Sequence, residues 1–124
     1  MAVVLRKSYG LGAQAMKGGS TKAPLATVAW PTGEFGGMGL EGAVRLGFRK
    51  ELDAIADPAE RDGAFQQMVD KMYEFGKAVN IASHYEIDDV IDPADTRRWI
   101  NAILSAAPAP PNRTGKKRAN IDTW

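Results

Sequence analysis

Ala2-Val3-Val4-Leu5-Arg6-Lys7-Ser8-Tyr9-Gly10-Leu11-Gly12-Ala13-Gln14-Ala15-Met16 is the stretch that decides the fold class. Its first residues, 2–5, are a short apolar and β-branched run and read as a strand. Gly10-Leu11-Gly12 turns the chain, and residues 13–16 suit a short helix that Lys17-Gly18-Gly19-Ser20-Thr21 then breaks. A strand that passes through Gly-x-Gly into a helix is an α/β junction. The first N–H groups of a helix have no internal partners, so this junction can offer free amides to an oxyanion with no reactive side chain involved.

Glycine usage points the same way. Ten of the thirteen glycines fall between Gly10 and Gly47. Glycine serves where the backbone must adopt positive φ or approach another group closely. Within this region residues 25–30 are a second strand candidate, ended by Pro31, and residues 32–39 read as a glycine-rich loop.

From Leu40 the hydrophobic period changes. Leu40, Ala43, Val44, Phe48, Leu52 and Ile55 recur at three- and four-residue spacing and predict one amphipathic helix. Asp57-Pro58-Ala59-Glu60 is a helix start, with Asp57 as cap, Pro58 at the first turn and Glu60 placed to close a capping box. Phe65, Met68, Val69, Met72, Phe75 and Val79 form the apolar stripe of that second helix, which reads as core. Asp92-Pro93-Ala94-Asp95 opens a third, with Trp99, Ile100, Ile103 and Leu104 on one face and Pro108 as its stop. The acidic stretch 85–91 is a connector or short strand. No internal repeat is visible.

The bulk numbers exclude several classes. A chain of 124 residues is at most one domain, and 44% hydrophobic with 25% charged residues is an ordinary globular balance. A net charge of +1 gives no bulk attraction to nucleic acid, and Lys116-Lys117-Arg118 would make few phosphate contacts. With no cysteine, disulfides and thiolate chemistry are excluded, which fits a reducing compartment. No apolar run reaches membrane-span length and residues 1–9 lack a signal-peptide layout, so a cytoplasmic protein without membrane contact is expected. His84 is the single histidine and reads as a surface or helix-end residue; no HExxH or ligand-spaced His/Asp/Glu cluster is present, so no metal is expected.

Gly10-Leu11-Gly12-Ala13-Gln14-Ala15 also satisfies G-x-G-x-x-(G/A), with Glu34 at a distance suited to a ribose contact. A dinucleotide site needs a helix of about ten residues or more to cross back over the sheet. Gly18, Gly19 and Pro24 cut this one after roughly a single turn. A Rossmann-type nucleotide binder therefore stands as an alternative, and a P-loop is excluded because its motif is missing.

Read together, the junction sequence and Ala29-Trp30-Pro31-Thr32-Gly33-Glu34-Phe35-Gly36-Gly37-Met38-Gly39-Leu40 resemble the carboxyltransferase (β) subunit of biotin-dependent acyl-CoA carboxylases, the propionyl-, methylcrotonyl- and acetyl-CoA carboxylase family. Ile87-Asp88-Asp89-Val90-Ile91-Asp92-Pro93, Thr96-Arg97 and Gly115-Lys116-Lys117-Arg118-Ala119-Asn120-Ile121 extend the resemblance over nearly the whole chain. It implies a partial crotonase-like α/β domain, a ββα spiral of short strands followed by three amphipathic helices. Residues 1–107 would be the C-terminal part of the family's second domain, and residues 108–124 a proline-rich, basic tail.

The resemblance also implies chemistry. Carboxybiotin, carried on a partner protein, gives up CO2; the ureido nitrogen then removes the α proton of an acyl-CoA, and the enolate attacks CO2. The protein supplies position and amide dipoles. By position, the Leu11 and Gly12 amides match the family's biotin-side oxyanion hole, with Gly10 permitting the turn. Ala13, Gln14 and the loop residues Thr32, Gly33, Glu34, Phe35, Gly36 and Gly37 would shape the biotin or pantetheine channel. Propionyl-preferring members carry an acid where this chain has Gln14, and many members have Gly-Gly-Ala-Tyr where it has Gly10-Leu11-Gly12-Ala13. The implied partners are the missing carboxyltransferase N-domain or a full-length subunit, a biotin carboxylase and a biotin carrier protein, in an oligomer. Such a piece is expected to be incomplete and inactive alone. The alternative within the same resemblance is a non-catalytic assembly module that associates with a full-length carboxyltransferase.

Overall fold

The computed structural model describes residues 1–109. In it a strand–strand–helix unit occurs twice in succession. β1 (Ala2–Val4) and β2 (Lys7–Tyr9) lead into α1 (Gly10–Met16); β3 (Thr27–Ala29) and β4 (Glu34–Gly36) lead into α2 (Leu40–Gly47). β3 pairs in parallel with β1, Val28 opposite Val3, and β4 pairs in parallel with β2, Phe35 opposite Ser8. β5 (Asp89–Val90) continues the first sheet beside β3. Each unit thus lays one strand on each of two sheets and the chain winds as a spiral, the α/β arrangement that the resemblance implies. β1 and β2 each keep one lateral edge without a strand partner among the described residues.

The helices are more numerous than the expected three. The stretch from Leu40 to Ile55 is not one helix: Phe48, at φ −113° and ψ 25°, ends α2 and begins α3 (Arg49–Asp53). Gly47, a poor helix former, immediately precedes the break. The bend lets Val44 and Leu52 both reach Val69 of α4 (Pro58–Phe75). Asp57 caps α4 as expected, accepting from the Ala59 and Glu60 amides at 3.4 and 3.3 Å. α4 ends before Gly76, so Val79 belongs to the next helix, α5 (Ala78–Ser83), and both Phe75 and Val79 are exposed and not core. Asp92 caps a 3₁₀ turn (Pro93–Asp95) that runs into α6 (Thr96–Ala106). On α6, Trp99 and Ile103 are half-buried, whereas Ile100 and Leu104 face outward. Leu25, placed in the second strand by its apolar character, is outside β3 and exposed. The expectations for the tail at residues 110–124 lie outside the described residues. No described helix is long and apolar enough to cross a membrane.

The core has two parts. Val4, Ala29, Phe35, Ala78 and Ile87 pack between the strands and α5, and Val44, Leu52 and Val69 join α2, α3 and α4. Polar groups tie the sheet to the later elements: the Thr27 amide donates to Asp88 Oδ2 at 2.6 Å, and Trp30 Nε1 donates to Thr96 Oγ1 at 2.9 Å.

Three glycines in this frame are there for space. Gly33 sits against Ala29 and Ala78, and Gly36 against Leu40 and Tyr9. Gly76 is the tightest: a Cβ there would overlap the Phe35 carbonyl oxygen, and the Gly76 carbonyl accepts from the Phe35 amide at 2.8 Å. Gly76→Ala is expected to lower stability by about 1–3 kcal/mol through overpacking. At Gly63, inside α4, an added methyl meets nothing, and Gly63→Ala is expected to raise stability by roughly 0.5–1 kcal/mol. Chemical denaturation of the two variants checks the pair. A Gly76→Ala chain as stable as the native one would show that β4 and the end of α4 do not approach so closely.

Candidate oxyanion-binding cleft

The site begins where β2 ends. Tyr9 is extended and Gly10 takes φ +60°, a left-handed conformation that costs a residue with a Cβ about 1–2 kcal/mol. A Cβ on Gly10 would also lie 3.2 Å from the Gly37 carbonyl oxygen. The turn that starts α1 is thereby pressed against the loop that follows β4, because β2 and β4 are paired neighbours. The N-cap residue Tyr9 makes no side-chain hydrogen bond to α1. Among the described residues, neither the Leu11 nor the Gly12 N–H donates to a backbone carbonyl. Both are therefore available amides at an exposed turn.

Beside this turn lies a cleft of about 890 Å³. One wall is the face of α1 that carries Gly10, Ala13 and Gln14, with Lys17 just after the helix. The second is Phe35, Gly36, Gly37 and Met38 from the end of β4. The third is α4, with Met68 and Met72, and Gly76 just beyond it. Of the residues expected from the sequence, Gly10, Ala13, Gln14, Phe35, Gly36 and Gly37 come together on this lining. Leu11 and Gly12 stand exposed next to it and do not line it.

The front of the expected loop does other work, and its reading as loop needs correction. Residues 34–36 are strand β4, held by β2 on one side and by the Gly76 backbone on the other. Three residues with two glycines among their neighbours carry too little β-branched character to announce a strand. Thr32 donates its hydroxyl to the Leu5 carbonyl at 2.6 Å, Gly33 is buried under Ala78, and Glu34 accepts from the Tyr9 hydroxyl at 3.0 Å. None of these three lines the cleft. His84 ends α5 and is exposed, with Nδ1 2.8 Å from the Asn80 carbonyl oxygen.

Ser8, Lys17, Met68 and Met72 also line the cleft; the sequence reading placed the two methionines in the core stripe of α4 and gave Ser8 and Lys17 no part in the site. The signal for Lys17 was present: Gly10, Ala13, Gln14 and Lys17 follow three- and four-residue spacing and so share one helical face.

Burial, reinforced by the hydrogen bond to Glu34, pushes the Tyr9 hydroxyl well above the usual phenol range. A phenol whose folded value is raised supports the fold fully below its free value near 10 and loses that support as pH climbs toward the folded value. The native chain is therefore expected to lose stability above about pH 10. Tyr9→Phe, which has no phenol to ionise there, is expected to show a shallower decline in denaturation measured between neutral and alkaline pH. Burial alone holds the Lys17 ammonium below the usual lysine range.

The chain matches the family described as "Carboxyl transferase domain" over residues 1–121. It belongs to the carboxyl transferase family. Among family members, it is 40% identical over 126 residues to the methylmalonyl-CoA carboxyltransferase 12S subunit of Propionibacterium freudenreichii subsp. shermanii, covering 98% of this chain and 23% of that protein. Its backbone is similar to the transcarboxylase 12S crystal structure with a TM-score of 0.73 and 38% identity, over 95% of this chain and 22% of that one. A single-chain, multi-domain long-chain acyl-CoA carboxylase aligns with a TM-score of 0.65 and 56% identity, over 82% of this chain and 10% of that one. This carboxyl transferase chain thus spans less than a quarter of the length of the relatives it matches.

Proposed function

We propose that this chain supplies the biotin-side half of a carboxyltransferase site, in an enzyme that moves a carboxyl group from carboxybiotin to the α carbon of an acyl-CoA. The observation that carries the reading is the Gly10 turn, which leaves the Leu11 and Gly12 amides without acceptors beside an apolar cleft. The residues fit a bicyclic urea: Phe35, Met38, Met68 and Met72 offer apolar surface for its ring, and the two amides offer donors for its carbonyl oxygen. Carboxybiotin, when bound, supplies the activated carboxyl group and then the ureido nitrogen that serves as base.

The chain's own part is placement and charge stabilisation. The two amides would hold the oxygen on which negative charge builds as the carboxyl group departs. Gly10 fixes their direction, and a partner covering this exposed turn would keep water from the oxygen and so strengthen both hydrogen bonds. No side-chain acid or base is required. The 56% identity to a long-chain enzyme, with glutamine at position 14, supports a long acyl chain over propionyl.

Leu11 and Met16 are 80% and 88% exposed on α1, and Leu5 is half exposed at the end of β1. Large apolar side chains left this exposed along α1 and just past β1 support a covering partner. We assign that role to the carboxyltransferase region that provides the acyl-CoA half of the site, within an oligomeric enzyme that also draws on a biotin carboxylase and a biotin carrier. The relative of known structure is described as a hexamer with methylmalonyl-CoA bound. The purified 124-residue chain is expected to give no carboxybiotin-dependent carboxylation of acyl-CoA alone. Turnover by the isolated chain would overturn the division of the site.

A further inference from the structure

Lys17 is a charged side chain inside the cleft with no ion-pair partner among the described residues. The residue is 8% exposed. Its Nζ donates to Ser8 Oγ at 3.0 Å and lies 5.5 Å from the centre of the Phe35 ring. The ion pairs found among the described residues are Arg49–Asp53, Lys77–Glu74 and Arg98–Asp95, and none of them involves Lys17. Glu86 and Lys71 also border the cleft and are exposed, and Glu86 forms no ion pair with Lys17. An ammonium has three donors; here one is used, and the aromatic face supplies modest attraction.

Burying a charge without a counter-ion is unfavourable. A lysine kept for structure alone would extend its head to water, since its flexible stem allows it. Lys17 instead turns inward, on the same helical face as Gly10 and Ala13, toward Phe35. Two of its three donors have no acceptor among the described residues.

We propose that Lys17 holds a carboxylate in this cleft, namely the carboxyl group that the proposed reaction transfers; this rests on the carboxyltransferase reading of the site. That carboxylate has two possible carriers, the urea nitrogen of carboxybiotin or the carboxylated acyl thioester. In either case its oxygens accept from the two free ammonium protons, while Ser8 keeps the third. The head group is thereby fixed between Phe35 and the α1 turn.

Two matched probe pairs test this by calorimetric titration of the 124-residue chain: biotin methyl ester with and without an N1-carboxymethyl group, and malonyl-pantetheine against acetyl-pantetheine. For one pair, the carboxylate member is expected to bind the native chain about tenfold more tightly than its neutral partner, the range for a hydrogen bond to a charged group. The pair that shows the margin identifies the carrier. In Lys17→Met the margin is expected to vanish while the neutral partner binds as it does to the native chain, which also reports an intact cleft. Lys17→Arg is expected to keep most of the margin. A margin that persists in Lys17→Met, or none in the native chain for either pair, overturns the role of Lys17 and leaves the site reading standing. If none of the four probes binds the native chain, the site reading fails, and this proposal with it.

Discussion

Carboxyl transfer is expected to fall about 10²–10³-fold when Leu11 is replaced by proline in an assembled enzyme, the range for loss of one oxyanion-hole donor. The substitution removes an N–H and little else. Leu11 is the second residue of α1, where the amide has no acceptor within the helix and proline is compatible with the first turn. The preceding residue, Gly10, has no Cβ to meet the proline ring, which leaves its own N–H as the one group near the proline Cδ. The Leu11 side chain is 80% exposed, so Leu11→Ala, which keeps the N–H, is expected to retain near-native transfer in the same assay. Equal circular dichroism of the two variants would exclude a folding cause. If Leu11→Pro transferred carboxyl groups as fast as Leu11→Ala, the Leu11 amide would have no part in the chemistry.

The largest loss of stability is expected at Phe35. Phe35→Ala is expected to cost about 3–5 kcal/mol, as for other aromatic truncations in a core. The ring is 7% exposed and packs with Val4, Ala29, Ala78 and Ile87. Its backbone is held by β2 on one side and by Gly76 on the other, which limits how far the surroundings can collapse into the void. A domain of this size has about 5–15 kcal/mol in total, so urea denaturation should show a much earlier midpoint. Phe35→Leu, which refills most of the volume, is expected to lose less than half as much. A Phe35→Ala chain with a native midpoint would place the ring outside the core.

The turn at Gly10 and the helix starts were legible because they depend on backbone features that sequence records directly. Gly10 at positive φ, the cap at Asp57 and the cap at Asp92 each follow from one residue type at one position. The doubled strand–strand–helix unit was legible through the family resemblance and not through the residues' own periodicity. Its strands are two or three residues long, too short to show a period, and β2 reads Lys-Ser-Tyr with only Ser8 buried. The parallel partners that make those residues strands are more than twenty positions away, Lys7 opposite Glu34 and Ala2 opposite Thr27. The break at Phe48 was hidden because both halves keep the same apolar spacing; Gly47 weakens the helix there, and the bend lets Val44 and Leu52 both meet Val69. Ser8 and Lys17 joined the cleft for a related reason: a polar residue in a short strand and a lysine beside two glycines look like surface until β4 and α4 enclose them.

The central claim is that this chain carries one half of a carboxyltransferase site. The most direct measurement mixes it with a carboxyltransferase subunit from which the matching C-terminal segment has been deleted, then follows carboxyl transfer from carboxybiotin to an acyl-CoA. Size-exclusion chromatography confirms in parallel that the two chains associate. The expected result is transfer by the mixture and none by either chain alone. A stable association of the two chains that remains inert, with all substrates bound, would contradict the claim.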